Sequence, residues 1–196
     1  MRIAVPQEST GRILRWSQAA LWVAAAGLLG YCAFVLADTW VFQREASQAF
    51  DRQLQPAPPP LPGASAMGGL VGRMEIPRLG ISMMVAEGTE EATLRRAGGH
   101  IRGTALPGRP GNVGIAGHRD TLFRPLRNVR QNDLITLTTL QGEYRYRVVS
   151  TRIVSPSDLT VLDPDGHEIL TLVTCHPFYF VGPAPDRFIV RAKRVT

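Results

Sequence analysis

The chain has 196 residues, 22 of them basic and 16 acidic, a formal net charge of +6 and a hydrophobic fraction of 44%. That length suits one domain of moderate size and excludes a multidomain machine, while the apolar fraction supports a packed core and excludes a wholly disordered chain. Lys193 is the one lysine, no Lys/Arg block of five occurs and no zinc-finger spacing is present, so nucleic acid is not an expected partner.

Residues 19–37, AALWVAAAGLLGYCAFVLA, carry no charge. Their number is close to the roughly 20 that a helix needs to cross hydrocarbon. Arg2, Arg12 and Arg15 precede the run and Asp38 follows it, so the positive-inside bias predicts residues 1–18 in the cytoplasm and the rest of the chain outside. Trp16, Trp22 and Trp40 fall where the membrane interfaces would lie. The run is long for the apolar region of a cleaved signal peptide and no small-x-small cleavage site stands out, which favours a retained, single-pass signal anchor in the cell membrane. A soluble chain of this size has too little protein to surround a helix that is apolar all round.

Residues 41–54 mix charged and apolar positions at helical spacing and predict a few further turns of helix. Five prolines fall between Pro56 and Pro62, so residues 55–69 read as an extended spacer and residues 38–69 as a juxtamembrane segment and stalk. From residue 70 to residue 196 the pattern turns to short β-rich runs between Gly, Pro, Asn and Asp. Strands are predicted at 71–76, 82–86, 112–117, 134–139, 143–154, 168–175 and 187–193. One helix interrupts them, at 89–97, with Thr89 as its N-cap and Gly98 and Gly99 ending it. So many short strands point to an all-β closed barrel or a sandwich, because closure removes exposed edges.

Cys32 lies in the membrane run and Cys175 in the outer domain, so they cannot pair. An unpaired thiol in an extracytoplasmic domain is a candidate nucleophile, with a buried small hydrophobe as its structural alternative. Alternation in ILTLVTC puts Ile169, Thr171, Val173 and Cys175 on one strand face, with the thiol at its end. His118 follows the small residues of NVGIAG, which leave the backbone open to a ligand, and Arg187 opens the last strand. Thiol, imidazole and guanidinium together supply a nucleophile, a proton donor and an anion stabiliser.

The segments MEIPRLGIS, GNVGIAGHRDTLFRPL, LTLVTC and GPAPDRFIVRA resemble the sortase family, cysteine transpeptidases of bacterial surfaces, and within it the class D branch. The resemblance covers nearly all of residues 70–196 and marks them as an extracytoplasmic catalytic domain. It implies an eight-stranded sortase-type β-barrel with short helices, behind a single N-terminal transmembrane helix. It also implies roles: Cys175 as nucleophile, His118 as acid/base, and Arg187 as a stabilising cation acting on the oxyanion or on the substrate backbone. At the reference pKa values of about 8.5 for a thiol and about 6.5 for an imidazole, the neutral pair predominates at pH 7 unless the site shifts it.

The implied substrate is a secreted protein with a C-terminal sorting signal resembling Leu-Pro-x-Thr-Gly, cut after Thr through a thioester and passed to an amine of the cell envelope. Ala116, Thr171, Val173 and Thr174 match positions that line the family's peptide groove. A hydrolytic protease of the same fold and a non-catalytic peptide-binding module stand as the alternatives. No cofactor is expected: there is no dense acidic cluster for calcium, and His118, Cys175 and His176 lack a fourth ligand for zinc. His176 is expected on the face opposite Cys175, and His100 and His167 in turns. Asp120 either tunes His118 or is a solvated turn residue.

Overall fold

The computed structural model describes residues 7–54, 69–164, 166–179 and 182–195, and the predicted spacer at 55–68 lies outside them. Two compact units divide the chain, Met1–Val41 and Phe42–Thr196. A single helix, α1 (Gln7–Leu54), runs unbroken for 48 residues and unites the apolar run with its amphipathic extension. The stretch Arg15–Gln53 holds a window apolar and long enough to cross a membrane. In its first part Leu21, Trp22, Leu29 and Leu36 are each 70% exposed, as a lipid-facing helix requires.

The second unit is a closed barrel of eight strands: β1 (Leu70–Ile76), β2 (Ile81–Glu87), β3 (Gly98–His100), β4 (Gly111–Ala116), β5 (Leu134–Thr139), β6 (Gly142–Val154), β7 (Glu168–His176) and β8 (Asp186–Val195). They close in the order β1-β2-β3-β4-β7-β8-β6-β5. The β2/β3 and β4/β7 pairs are parallel and the others antiparallel. Seven of these strands are those that the β-rich runs of the sequence predict.

The strand that those runs miss is β3, whose sequence Gly-Gly-His contains no strong strand former. It exists because its glycines let neighbouring backbone come close: a Cβ on Gly99 would lie 2.4 Å from the Gly88 carbonyl oxygen. Pairing of Val85 with Gly98 draws this stretch into extended backbone. The predicted helix at 89–97 therefore contracts to the single turn α2 (Glu91–Leu94), and Thr89 is not its cap, the N-cap being Glu90 without a side-chain bond. His100, expected in a turn, is instead a buried β3 residue, 2% exposed, with its ring nitrogens on Glu87 at 2.7 Å and on the Ala105 carbonyl at 3.0 Å.

Leu170 and Leu172 of β7 point into the barrel and pack with Met74, Ile115, Leu137 and Val190. Tyr146 is also enclosed, its hydroxyl donating to Glu168 at 2.5 Å; burial and that carboxylate push the phenol above its ordinary pKa. A second cluster joins Ala46 and Phe50 of α1 to Met84 of β2. Gln43 accepts from the Met84 amide at 2.8 Å and donates to the Arg96 carbonyl, while Asp51 pairs with Arg73 at 2.6 Å. Residues 42–54 are thus packed onto the barrel unit.

Arg78, in the turn between β1 and β2, forks onto Asp133 ahead of β5, with Nη2 on Oδ2 at 2.5 Å and Nε on Oδ1. The Arg130 amide donates to the same carboxylate at 2.8 Å, and the side chain is only 5% exposed. The Arg78 guanidinium holds the Asp133 carboxyl below the usual carboxylate range. A carboxyl depressed on folding adds stability above its unfolded pKa and loses it as pH falls through the folded value. Asp133→Asn is expected to lower the unfolding free energy at pH 7 by about 2 kcal/mol. In urea titrations the gap from the parent should narrow below about pH 4.

Candidate active site

Register builds the site in two rows across three strands. Ala116 of β4 pairs with Val173 of β7, and Val173 pairs with Ile189 of β8, so three apolar side chains lie side by side. Two residues further along the same face, Cys175 pairs directly with Arg187. The β4 ladder ends at Ala116, but the chain keeps its course beside β7: the Gly117 amide donates to the Val173 carbonyl at 3.1 Å, and the Thr174 hydroxyl donates to the Gly117 carbonyl at 2.7 Å. His118 therefore stands in line with Cys175 on the side opposite Arg187. With strands about 4.8 Å apart, thiol, imidazole and guanidinium span about 10 Å of one face.

All three are half-buried, the His118 side chain being 32% exposed. Arg187 is held near its own backbone, Nη1 donating to the Asp186 carbonyl at 3.0 Å. His118 Nε2 lies 3.8 Å from a carboxylate oxygen of Glu91, on α2. Asp120, the residue considered as a partner of His118, is exposed in a turn after β4 has ended. Sequence spacing gives no sign of Glu91, because only closure of β2, β3 and β4 brings α2 to this corner.

Beside the row lies a cleft of about 240 Å³. Ala116, Val173 and Ile189 form its floor, Leu159 and Leu162 from the β6–β7 connection form a wall, and Arg187 stands at one end. Two of the residues assigned to the groove are elsewhere. Thr171 is fully buried, its hydroxyl donating to Asn112 Oδ1 at 2.7 Å, and Asn112 in turn donates to the Val161 carbonyl at 3.0 Å. Thr171 shares the face of Cys175, but the β6–β7 connection covers it and makes it a brace for the cleft wall. Thr174 is 3% exposed and points to the other face.

His176 also takes the other face, its ring 6.2 Å from Phe188 in a stack and 6.1 Å from Phe178 edge-on. Its Nδ1 is buried and has no hydrogen-bond partner among the described residues. His167 is exposed in a bend. Among the described residues no group of three His, Cys, Asp or Glu side chains is arranged to hold a metal ion. Cys32 and Cys175 are both free thiols.

Fold and row together define a class: a small closed β-barrel with a thiol, an imidazole and a guanidinium aligned at the edge of an apolar cleft, an arrangement suited to acyl transfer. The chain belongs to the sortase family, a family of cysteine transpeptidases, since residues 74–195 match its sortase domain model. It is 36% identical over 130 residues to sortase D of Bacillus subtilis, covering 66% of each chain. It is 33% identical over 110 residues to sortase A of Listeria monocytogenes, covering 54% of this chain and 49% of that one. The aligned segments thus span about two thirds or less of these relatives' lengths. Among solved structures, a Clostridium perfringens sortase D5 transpeptidase superposes with a TM-score of 0.66 at 26% identity, covering 80% of this chain and 99% of that one. A lid mutant of sortase A from Corynebacterium diphtheriae gives 0.60 at 32% identity, over 72% and 74%.

Thr171→Val should lower the unfolding free energy by about 1–2 kcal/mol, because Asn112 loses a buried donor. A denaturant titration measures that loss, and the rate at which a small alkylating agent modifies Cys175 should not change.

Proposed function

We propose that this chain is a membrane-anchored sortase, whose outer domain cleaves a Leu-Pro-x-Thr-Gly-like sorting signal after Thr and transfers the acyl group to an envelope amine. The observation that carries this reading is the aligned row of His118, Cys175 and Arg187 beside the cleft. In it Cys175 is the nucleophile, attacking the scissile carbonyl as the thiolate. Arg187, directly across the ladder, stabilises the oxyanion that forms. His118, on the other flank, protonates the departing amine, leaving a thioester on Cys175. The incoming amine then attacks the thioester, gives its proton to His118 and releases the thiolate. The apolar floor of Ala116 and Val173 takes the apolar residues ahead of the cleavage point. Residues 19–37 hold the enzyme in the membrane with residues 1–18 in the cytoplasm and the barrel outside.

The test uses the full chain in detergent micelles, because residues 42–54 pack on the barrel. Sorting-signal peptides are added with and without a panel of amines, and products are read by mass spectrometry. An adduct on the Cys175 peptide should form, and amine should convert it to ligated product. Cys175→Ala should abolish the adduct. His118→Ala should lower kcat/KM by about 10²–10⁴, and Arg187→Ala by about 10²–10³. Turnover that survives Cys175→Ala would sink the enzyme reading, and an adduct that only water resolves would make the protein a hydrolytic protease.

A further inference from the structure

Arg119 follows His118 directly and plays no part in the chemistry described so far. Its guanidinium reaches across to the connection between β7 and β8, Nη1 donating to the Pro177 carbonyl at 3.0 Å and Nη2 to the Gly182 carbonyl at 2.9 Å. Pro177 lies two residues after Cys175, and Gly182 lies five residues before Arg187. One planar fork therefore joins the segment carrying the imidazole to the segments that leave the thiol and lead into the guanidinium.

The position of this tie matters because the sheet is ending there. The β4 ladder stops at Ala116, and His176↔Asp186 is the last pair between β7 and β8. His118 is thus two residues past the last paired residue of its strand. Beyond Gly117 it is held by the turn in which the Phe123 amide donates to the His118 carbonyl at 3.1 Å, and by the fork of Arg119. Strand ends open locally far more easily than strand centres, yet acyl transfer needs the reacting groups held to within about 0.5 Å. A charged donor bridging two carbonyls makes stronger hydrogen bonds than a neutral one, and the rigid geometry of guanidinium loses little freedom in forming both.

We propose that Arg119 is a positioning residue, which locks the His118 turn to the β7–β8 connection and so fixes imidazole against thiol. The proposal rests on the transpeptidase reading for its turnover arm alone. A second arm is independent of substrate: the pH profile of Cys175 alkylation by iodoacetamide reports how the imidazole sits against the thiol. Because Cys32 is also a free thiol, labelling is read on the proteolytic peptide that contains Cys175.

Both arms use the full chain in detergent with Arg119→Ala and Arg119→Lys, each alongside its thermal unfolding curve. Arg119→Ala should lower kcat about 30- to 100-fold while KM stays within about threefold, since the cleft floor lies on other residues. The midpoint of the alkylation profile should move with it. Arg119→Lys should recover less than about a tenth of the loss, because one ammonium cannot span both carbonyls. An unchanged alkylation profile in both variants would overturn the proposal, as would full recovery by lysine. A drop in activity that merely follows the folded fraction would overturn it too, by showing a structural tie and nothing more. Should Arg119→Ala fail to fold, Arg119→Lys and Arg119→Gln, which keep a donor at the position, decide by the same profile. If the parent turns over no peptide the transpeptidase reading fails, and the alkylation arm still decides for or against Arg119.

Discussion

Pairing of β4 with β7 aligns backbone 57 positions apart in the chain, and β8 then supplies the third member of each row. Side chains alternate along a strand, so a slip of one residue in either ladder would carry Cys175 or Arg187 to the opposite face. The inward face prevents that slip. Leu170, Leu172, Val190 and Ala192 fill the barrel; a slip of β7 would put Ile169, Thr171, Val173 and the thiol there, and a slip of β8 would put Arg191 and Lys193 there. Thr171 adds a second lock, because its buried hydroxyl finds Asn112 on β4 in one register alone. The same alternation that packs the core therefore aligns the candidate site.

The rows also explain why Cys175 and Arg187 stand where they do along the strands. A guanidinium in the middle of a small barrel would lose its hydration for a penalty of several kcal/mol. At the end of the ladder Arg187 is half-buried, so it keeps part of its water while the apolar row on one side shields it from the rest. Under the proposed function a peptide lying along the floor meets apolar contacts first and the thiol two residues later. Binding and chemistry then use consecutive rows of one sheet, and the distance between them is set by the period of the strand.

Much of this was legible in the residues. The β-rich runs located seven strands, and alternation in ILTLVTC placed the thiol at a strand end on the face that carries Val173. What alternation reports is which residues share a face, and it does not report what covers that face. Thr171 and Val173 are equivalent in that pattern, yet the turn at Thr160–Leu162 and Asn112 bury the first, while the second stays on the cleft floor. Gly98 and Gly99 read as a helix stop because close approach between strands leaves no mark in local propensity. Glu91 and Arg119 were invisible for a related reason: each acts through a partner brought near by closure of the barrel and by no spacing in the chain.

That dependence on closure is strongest at α2. A helix of four residues has no stability of its own, since nucleation alone outweighs the bonds it can form, and this one also lacks a side-chain cap. It is contacted on two sides. Ahead of it Glu90 pairs with Arg102 at 2.5 Å, and behind it Gln43 of α1 donates to the Arg96 carbonyl while accepting from the Met84 amide. Gln43 thus connects β2 and the turn after α2 through one side chain, with Phe50 and Ala46 sealing the contact against Met84. Since Glu91 stands 3.8 Å from His118, the C-terminal end of α1 supports one edge of the candidate site from outside the barrel. Residues 42–54 therefore belong with the barrel unit in the physical sense, because removing them would expose Met84 and take away one of the two contacts on the element that borders the imidazole.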